Sequence, residues 1–351
     1  MDRRYDIDWI RVIAIALLII YHAAVAFQSW GIMIGFIANK NSWPSLWLPM
    51  QVLNVWRIPL LFFVSGMGVF FAMRSRTWMQ LITERARRIF VPFIFGMFVI
   101  VPLQSLLWRY HYNMQMMYVW DPGHLWFLGN IMTYVLIFSW LFYYLKDKDI
   151  ISRIFASPFS ILLVIGFMMA EAAIIKPVPY ELYAKTLHGF FLGLIAFFFG
   201  YCFAAAGNPF WEMIRRWRWA LFAAAVILCF SRLTWFINQF IPVESVCWIL
   251  FIFAMGYKYL NKESRALKYL SEAAYPVYVI HLIFQFLGSI QIFKLNIPVQ
   301  LQFILLVLFT LGGCLLTYEF LIRRTKVTRI LFGLKLRTSP IARRTSKPVR
   351  P

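Results

Sequence analysis

The first apolar segment of the sequence carries three ionisable side chains, Asp8, Arg11 and His22. Arg11 and His22 are 11 residues apart, within about 20° of three full helical turns, so both project from one helix face, about 16 Å apart. Asp8 lies one turn before Arg11 and can pair with it. Such residues mark candidate functional sites in a membrane, and a neutral imidazole can deprotonate a hydroxyl or act as a nucleophile. The alternative is structural: Arg11 would reach the lipid headgroups, and His22 would hydrogen-bond a neighbouring helix.

A second group of candidates is an arginine-rich stretch over residues 74–88. Arg85 and Arg88 are spaced i, i+3 and therefore share a helix face that leads into the next apolar segment. Paired guanidinium groups suit the phosphates of an anionic ligand, so this stretch is a candidate anion site. The alternative interpretation is that these arginines only hold a loop on the cytoplasmic side of a membrane.

Several further polar residues fall at similar depth in other apolar segments. His124 and His188 open the fourth and sixth predicted helices from the outer side, and His281 lies near the middle of the ninth. Arg57 lies in the second helix and Glu171 near the outer end of the fifth. A water-filled cavity open to the exterior would accommodate all of them, although each alone fits a packing role. The four cysteines lack metal-ligand spacing, so no metal site is predicted.

Composition places these residues in a membrane protein. Of 351 residues, 62% are hydrophobic and only 14% are charged, against roughly 25% charged in soluble domains. The apolar stretches are long enough to cross about 30 Å of hydrocarbon as helices, and they do not alternate as strands of a membrane barrel do. The sequence predicts an all-α, polytopic membrane bundle. Its helices, about ten in number, are predicted at residues 8–28, 46–73, 90–108, 124–145, 154–175, 186–206, 219–240, 245–260, 273–291 and 299–322.

The distribution of positive charge predicts the orientation of this bundle. Of 35 Lys and Arg residues, 27 fall in the termini and the alternate loops that share one side. By the positive-inside rule both termini are cytoplasmic. We expect a transmembrane domain over residues 1–325 and a basic cytoplasmic tail over 326–351. The net charge of +21 therefore indicates contact with anionic membrane lipid, and nucleic-acid binding is not expected.

Five segments resemble, in the same order, motifs of the acyltransferase-3 family of membrane acyltransferases. Together they extend over about residues 5–325 of the chain. They are Asp8-Trp9-Ile10-Arg11 followed by His22, Phe62-Phe63-Val64-Ser65-Gly66, Arg85-Ala86-Arg87-Arg88-Ile89 with Pro92, His124-Leu125-Trp126-Phe127-Leu128, and Tyr275-Pro276-Val277-Tyr278-Val279-Ile280-His281-Leu282.

The resemblance implies transfer of an acyl group from cytoplasmic acyl-coenzyme A to a sugar hydroxyl on the outer side. The coenzyme would be a co-substrate, as acetyl-CoA or succinyl-CoA, with no permanently bound cofactor. His22 would carry the catalysis with Arg11 and Asp8, and Arg85, Arg88 and Arg11 would bind the donor. The acceptor cavity would be formed by His124, His281, Arg57, Trp126, His188 and Glu171.

Within that family the chain resembles one branch in particular. The His-Leu-Trp-Phe-Leu form, Arg57 ahead of the Phe-Phe segment, and Tyr318-Glu319 before a basic stretch are similar to the branch that adds succinyl groups to periplasmic glucans. This implies a multi-pass protein of the bacterial inner membrane. The rival interpretation is a transporter or flippase of a polar or glycan solute, in which the buried Arg, Glu and His residues bind solute or protons.

The predicted orientation can be tested by cysteine labelling. Cysteines placed singly at Lys40 and Lys262 lie on opposite sides of the membrane in this topology. A membrane-impermeant thiol reagent applied to intact cells should label the first and spare the second, and both should react after permeabilisation. The reverse pattern would overturn the orientation.

Overall fold

The structure, a computed structural model, describes residues 3–146 and 148–336, and all regular elements in these ranges are helical. Nine helical segments of the described residues are long and apolar enough to cross a membrane, and a shorter apolar helix covers Phe159–Ile175. The predicted all-α polytopic bundle is therefore confirmed, and the chain is a multi-pass membrane protein. Of the predicted tail, residues 337–351 lie outside the described residues.

Twelve helices follow one another along the described chain, and the longest connections are residues 26–46 and 112–125. They are α1 (Tyr5–Val25), α2 (Trp47–Met73), α3 (Trp78–His111), α4 (Trp126–Leu145), α5 (Ile150–Phe155), α6 (Phe159–Ile175), α7 (Leu187–Ala206), α8 (Asn208–Trp235), α9 (Ile241–Tyr259), α10 (Arg265–Ile292), α11 (Val299–Thr317) and α12 (Lys326–Leu331). A 3-10 turn, Gly123–Leu125, opens α4, and a wide π turn, Tyr318–Ile322, extends α11.

Several predicted boundaries differ from the structure: the seventh predicted helix begins at Asn208 instead of 219, and the ninth at Arg265 instead of 273. The third helix, predicted at 90–108, begins at Trp78, so Arg85 and Arg88 lie on that helix, in line with the helix face inferred from their spacing. The reason is a capping box: the Thr77 hydroxyl accepts from the Gln80 amide, and the Gln80 side chain accepts from the Thr77 amide. The predicted helix 154–175 is divided into α5 and α6 near Pro158, which cannot continue the hydrogen-bond ladder.

Helix α3 contains two wide π turns, Ala86–Phe90 and Gly96–Ile100, each followed closely by a proline. Proline has no amide hydrogen, so Pro102 leaves the Phe98 carbonyl without its helical donor. The Tyr118 hydroxyl donates to that carbonyl at 2.7 Å. The irregular helix thereby holds the segment that leads to α4.

The aromatic core lies around the contact between α2 and α7, where two glycines bring the backbones together. A Cβ atom on Gly66 would come within 1.9 Å of the Phe197 carbonyl oxygen, and one on Gly200 within 2.0 Å of the Phe63 carbonyl oxygen. Phe63 and Phe197 are fully buried beside them. Small residues at helix contacts allow this close packing in membranes, where no hydrophobic force drives helices together.

The segment after α11 returns to the bundle. Phe332 packs edge-on against Phe95 of α3, with ring centroids 5.4 Å apart. Gly333 has a φ of +66°, and a Cβ there would come within 2.5 Å of the Arg88 carbonyl oxygen. Residues up to 336 therefore pack against the transmembrane helices, beyond the boundary at 325 that the sequence suggested.

The glycine contact predicts a specific loss of stability. Gly66→Ala should lower the thermal unfolding temperature because its methyl group has no space against the α7 backbone. Gly68→Ala, on the same helix, meets no atom within 4 Å and serves as the matched control. Thermal unfolding of both variants in detergent should separate them, and equal stability would contradict the close approach.

Candidate functional site

A cavity of about 1370 Å³ extends along the helical bundle. Its wall follows α1 from Asp8 to Val25, which is about 26 Å of helix, close to the thickness of the hydrocarbon layer. The wall also follows α2 from Asn54 to Val69. The cavity therefore extends along most of the length of two membrane-spanning helices.

One end of the cavity is strongly cationic. Arg11 and Arg88, which the sequence analysis assigned to the donor site, both line the cavity. Arg11 pairs with Asp8, and Arg88 pairs with Glu84 at 3.2 Å. Arg85 lines the same wall and donates to the Gly68 carbonyl at 2.7 Å. Its buried Nε has no hydrogen-bond partner in the described chain. Further cations at this end are Arg3, Lys268, Arg323, Arg329 and Lys335. Cations exceed acids here, as an anion site requires.

The C-terminal segment contributes part of this basic wall. Arg329, only 6% exposed, donates to Glu272 at 2.8 Å and to the Lys335 carbonyl. The side chain thereby ties the segment after α12 to the start of α10. No charge pattern along the sequence distinguished Arg329 and Lys335 from the rest of the basic tail, because only chain folding returns them to the cavity.

The two central histidines form a hydrogen-bonded pair whose nearly parallel rings meet edge to edge. His22 Nδ1 lies 2.8 Å from His281 Nε2, and the rings are inclined by 6° with centroids 5.0 Å apart. His281 Nδ1 lies 2.7 Å from the Tyr278 carbonyl and must donate its proton to it. His281 Nε2 then accepts from His22 Nδ1, which leaves His22 Nε2 unprotonated. The chain of hydrogen bonds thus assigns a basic nitrogen to the histidine that lines the cavity.

Helix α10 also positions the third histidine. His124 Nε2 lies 3.1 Å from the Val279 carbonyl, and its ring centroid is 5.1 Å from that of His281. The Tyr278 hydroxyl donates to the His124 carbonyl at 2.5 Å. The structure therefore brings together His22, His124 and His281. His281 itself is fully buried and hydrogen-bonds His22 without lining the cavity, whereas the sequence analysis assigned it to the cavity wall.

A proline in α2 shapes the wall opposite α1. Pro59 removes the helical donor of the Val55 carbonyl, which instead accepts from the Tyr183 hydroxyl at 3.2 Å and the Ser245 hydroxyl at 2.9 Å. These bonds hold the segment before α7, and with it Tyr183, against the cavity. Burial raises the pKa of the Tyr183 phenol well above its ordinary value, so it stays a neutral donor.

Arg57 and Trp126 line the cavity, as the sequence analysis expected. Arg57 is 2% exposed, and its guanidinium lies 4.0 Å from the centre of the Tyr21 ring. Its Nε and Nη1 atoms have no hydrogen-bond partner among residues 3–146 and 148–336. Trp126 packs edge-on against Phe62, with centroids 6.0 Å apart, so its ring is held by the α2 core.

His188 and Glu171 do not line this cavity, which corrects the expectation from the sequence. The His188 Nδ1 atom pairs with a Glu171 carboxylate oxygen at 2.8 Å, and both side chains are buried between α6 and α7. Tyr183 stacks on His188 with centroids 5.4 Å apart and stands between it and the cavity. Each residue gives the other one hydrogen-bond partner, and a lone polar group is costly in an apolar interface.

Sequence reasoning missed several polar residues at the other end of the cavity. Asp121 and Lys185 form an ion pair there, and Asp121 also accepts from the Gly123 amide at 2.6 Å. Glu181 lines the same end and lies 3.8 Å from Arg232. These residues lie in connections between helices, where hydropathy does not indicate how deep in the membrane a side chain lies. The sequence contains one indication of their role, which is that Asp121 comes three residues before His124. Across the described ranges no three His, Cys, Asp or Glu side chains converge as metal ligands would.

Comparison with known proteins identifies the family. Residues 4–319 match the acyltransferase domain of the acyltransferase-3 family, which is most of the chain. No curated protein and no solved structure matches. The resemblance read from the five motifs is thus confirmed at the level of the family, and the match covers α1 to α11, whose helices enclose the cavity. The chain belongs to the acyltransferase-3 family and is a membrane acyltransferase.

Proposed function

We propose that this protein transfers an acetyl or succinyl group from cytoplasmic acyl-CoA to a hydroxyl of an extracytoplasmic carbohydrate. The acceptor would be a periplasmic glucan or another envelope polysaccharide, and the protein would reside in the bacterial inner membrane. The observation that carries the proposal is the cavity, which has a cationic end and, about 16 Å along α1, a histidine with a free basic nitrogen. That separation is comparable to the pantetheine arm of the coenzyme.

The cationic end suits the donor. Coenzyme A carries phosphates, and guanidinium groups bind them with two parallel hydrogen bonds. Arg85 and Arg88 are the proposed phosphate ligands, and Arg11 would hold the donor closer to His22. The paired acids Asp8 and Glu84 orient two of these arginines without cancelling the excess of positive charge.

His22 Nε2 is the proposed base, and two routes fit its position. In the direct route it takes the sugar hydroxyl proton while the hydroxyl oxygen attacks the thioester carbonyl, and the departing thiolate then receives that proton. In the two-step route Nε2 first attacks the thioester carbonyl and displaces the coenzyme thiolate, which forms an acyl-imidazole. The sugar hydroxyl oxygen then takes the acyl group from Nε2, and the hydroxyl proton goes to the thiolate. Both routes need the tautomer that His281 and Tyr278 impose, so His281 is a positioning residue.

The other end of the cavity suits a sugar. Trp126 offers an aromatic ring, and the polar groups Asp121, Lys185 and Glu181 can hydrogen-bond hydroxyls. His124 lies between this end and the histidine pair. The resemblance to the glucan-modifying branch adds support for a glucan acceptor.

Reconstitution tests the proposal directly. The purified protein in lipid nanodiscs, given acetyl-CoA or succinyl-CoA and a β-glucan, should release free thiol and yield an esterified glucan by mass spectrometry. Thioester left intact, together with movement of unmodified glycan across sealed vesicles, would favour a transporter and contradict the proposal.

The role of His22 predicts a large loss of turnover. His22→Ala should lower kcat by about 10²-fold or more, the usual contribution of a general base, while the protein still inserts and folds. His111→Ala is the matched control, because His111 is half-buried and does not line the cavity. Acyl transfer at the wild-type rate by folded His22→Ala would remove this residue from the mechanism.

The proposed donor site predicts that affinity for acyl-CoA falls even when the positive charges of Arg85 and Arg88 are kept. Arg85→Lys with Arg88→Lys keeps both positive charges but removes the planar fork, so KM for acyl-CoA should rise by about tenfold or more. Arg215→Lys with Arg216→Lys, outside the cavity, should leave KM unchanged. An unchanged KM in the first double variant would show that Arg85 and Arg88 serve topology alone.

A further inference from the structure

Arg57 has fewer polar contacts than the other arginines that line the cavity. Arg11, Arg88 and Arg329 each pair with a carboxylate, and Arg85 donates to the Gly68 carbonyl. Arg57 forms no ion pair with any described residue, and its Nε and Nη1 have no hydrogen-bond partner there. Glu181, an acid in the cavity wall, lies 3.8 Å from Arg232 instead. A buried, unpaired guanidinium is costly, so the fold retains a charge that contributes nothing evident to stability.

The position of Arg57 places it beside the histidine pair. The Tyr21 ring lies 4.0 Å from its guanidinium carbon and 5.8 Å from the His22 ring, so one aromatic side chain contacts both. Arg57 is also within electrostatic range of His22 and His281. All of these groups except His281 line the cavity.

The contact with Tyr21 leaves the donor atoms free. The ring face attracts the cation without accepting a hydrogen bond, so Nε–H and Nη1–H remain available. A free N–H donor on a fixed cation, next to a base, forms a site for an oxygen atom that acquires negative charge during reaction.

We propose, on the basis of the proposed acyl transfer, that Arg57 stabilises the negative charge on the acyl carbonyl oxygen in the tetrahedral intermediate. When the hydroxyl oxygen of the acceptor, or His22 Nε2, forms a bond to the thioester carbon, the carbonyl π pair moves onto its oxygen. Arg57 donates a hydrogen bond to that oxyanion from one of its free N–H groups, and its positive charge stabilises the negative oxygen. As the carbonyl reforms, the C–S bond breaks, and the coenzyme thiolate leaves and takes up a proton. Arg57 is thus a second catalytic residue, and Tyr21 a positioning residue.

Kinetics of Arg57 variants test this role. Arg57→Gln should lower kcat by about 10²- to 10³-fold with both acetyl-CoA and succinyl-CoA, and change KM for the donor little, because the lost hydrogen bond and charge interaction form only in the intermediate. Arg57→Lys keeps the charge but not the planar guanidinium, and its kcat should fall between those of Arg57→Gln and wild type. The thermal unfolding temperature of Arg57→Gln should equal or exceed that of wild type, since an unpaired buried charge is removed.

Arg232→Gln is the comparison for a purely structural arginine. Arg232 is also buried, but it pairs with Glu244 at 2.7 and 2.9 Å and does not line the cavity. Its loss should lower the unfolding temperature, because Glu244 is left unpaired, while the folded fraction keeps its kcat. This pattern is the opposite of that expected for Arg57→Gln.

Three results would overturn the assignment. One is a wild-type kcat in Arg57→Gln, and another is an effect limited to KM. The third is loss of succinyl transfer with retained or improved acetyl transfer, which would assign Arg57 to the carboxylate of the acyl group. An inactive wild-type protein, assayed with both donors and a glucan, would instead overturn the proposed function, and the role of Arg57 with it.

Discussion

Hydrocarbon does not tolerate an unpaired polar group, and this constraint sorts the ionisable residues of the bundle into two classes. Those away from the cavity are paired within the protein: Arg232 with Glu244, and His188 with Glu171. Arg57 and His22, which keep free donor or acceptor atoms, line the cavity, where water or a substrate can satisfy them. The cavity is therefore what permits a reactive site at this depth, and the helices must pack so as to leave it open.

The helices meet this requirement through local irregularities. Pro59 and Pro102 each interrupt the hydrogen bonds of a helix. A tyrosine hydroxyl from the connection between α6 and α7 donates to the carbonyl that Pro59 leaves without a donor, and one from the connection between α3 and α4 does the same for Pro102. Backbone groups that would be unsatisfied in lipid thereby hold short non-helical segments against the bundle. Those segments supply the polar end of the cavity that the sugar is proposed to occupy, so the breaks in α2 and α3 and the acceptor site depend on one another.

Helix α10 acts as the frame for the imidazoles. It supplies the carbonyl that orients His281 and the carbonyl that orients His124, and its Gln285 side chain donates to the His22 carbonyl at 2.7 Å. Three side chains from distant parts of the chain are thus fixed by one rigid element. Support of this kind determines which imidazole nitrogen is basic, as a residue behind a catalytic group commonly does.

The sequence alone determined the class of fold, the common face of Arg11 and His22, and the pairing of Asp8 with Arg11, because helical periodicity and apolar length are local properties. It could not separate His281 from His188: both are histidines at membrane depth, and hydropathy reports depth but not the direction in which a side chain points around its helix. Only the packing of α10 against α1 brought His281 to His22, across 259 residues, and only the return of the C-terminal segment brought Arg329 to the cavity. The sequence also could not predict that Arg57 keeps free hydrogen-bond donors. Whether a buried charge is paired depends on contacts between helices, and those contacts exist only in the folded bundle.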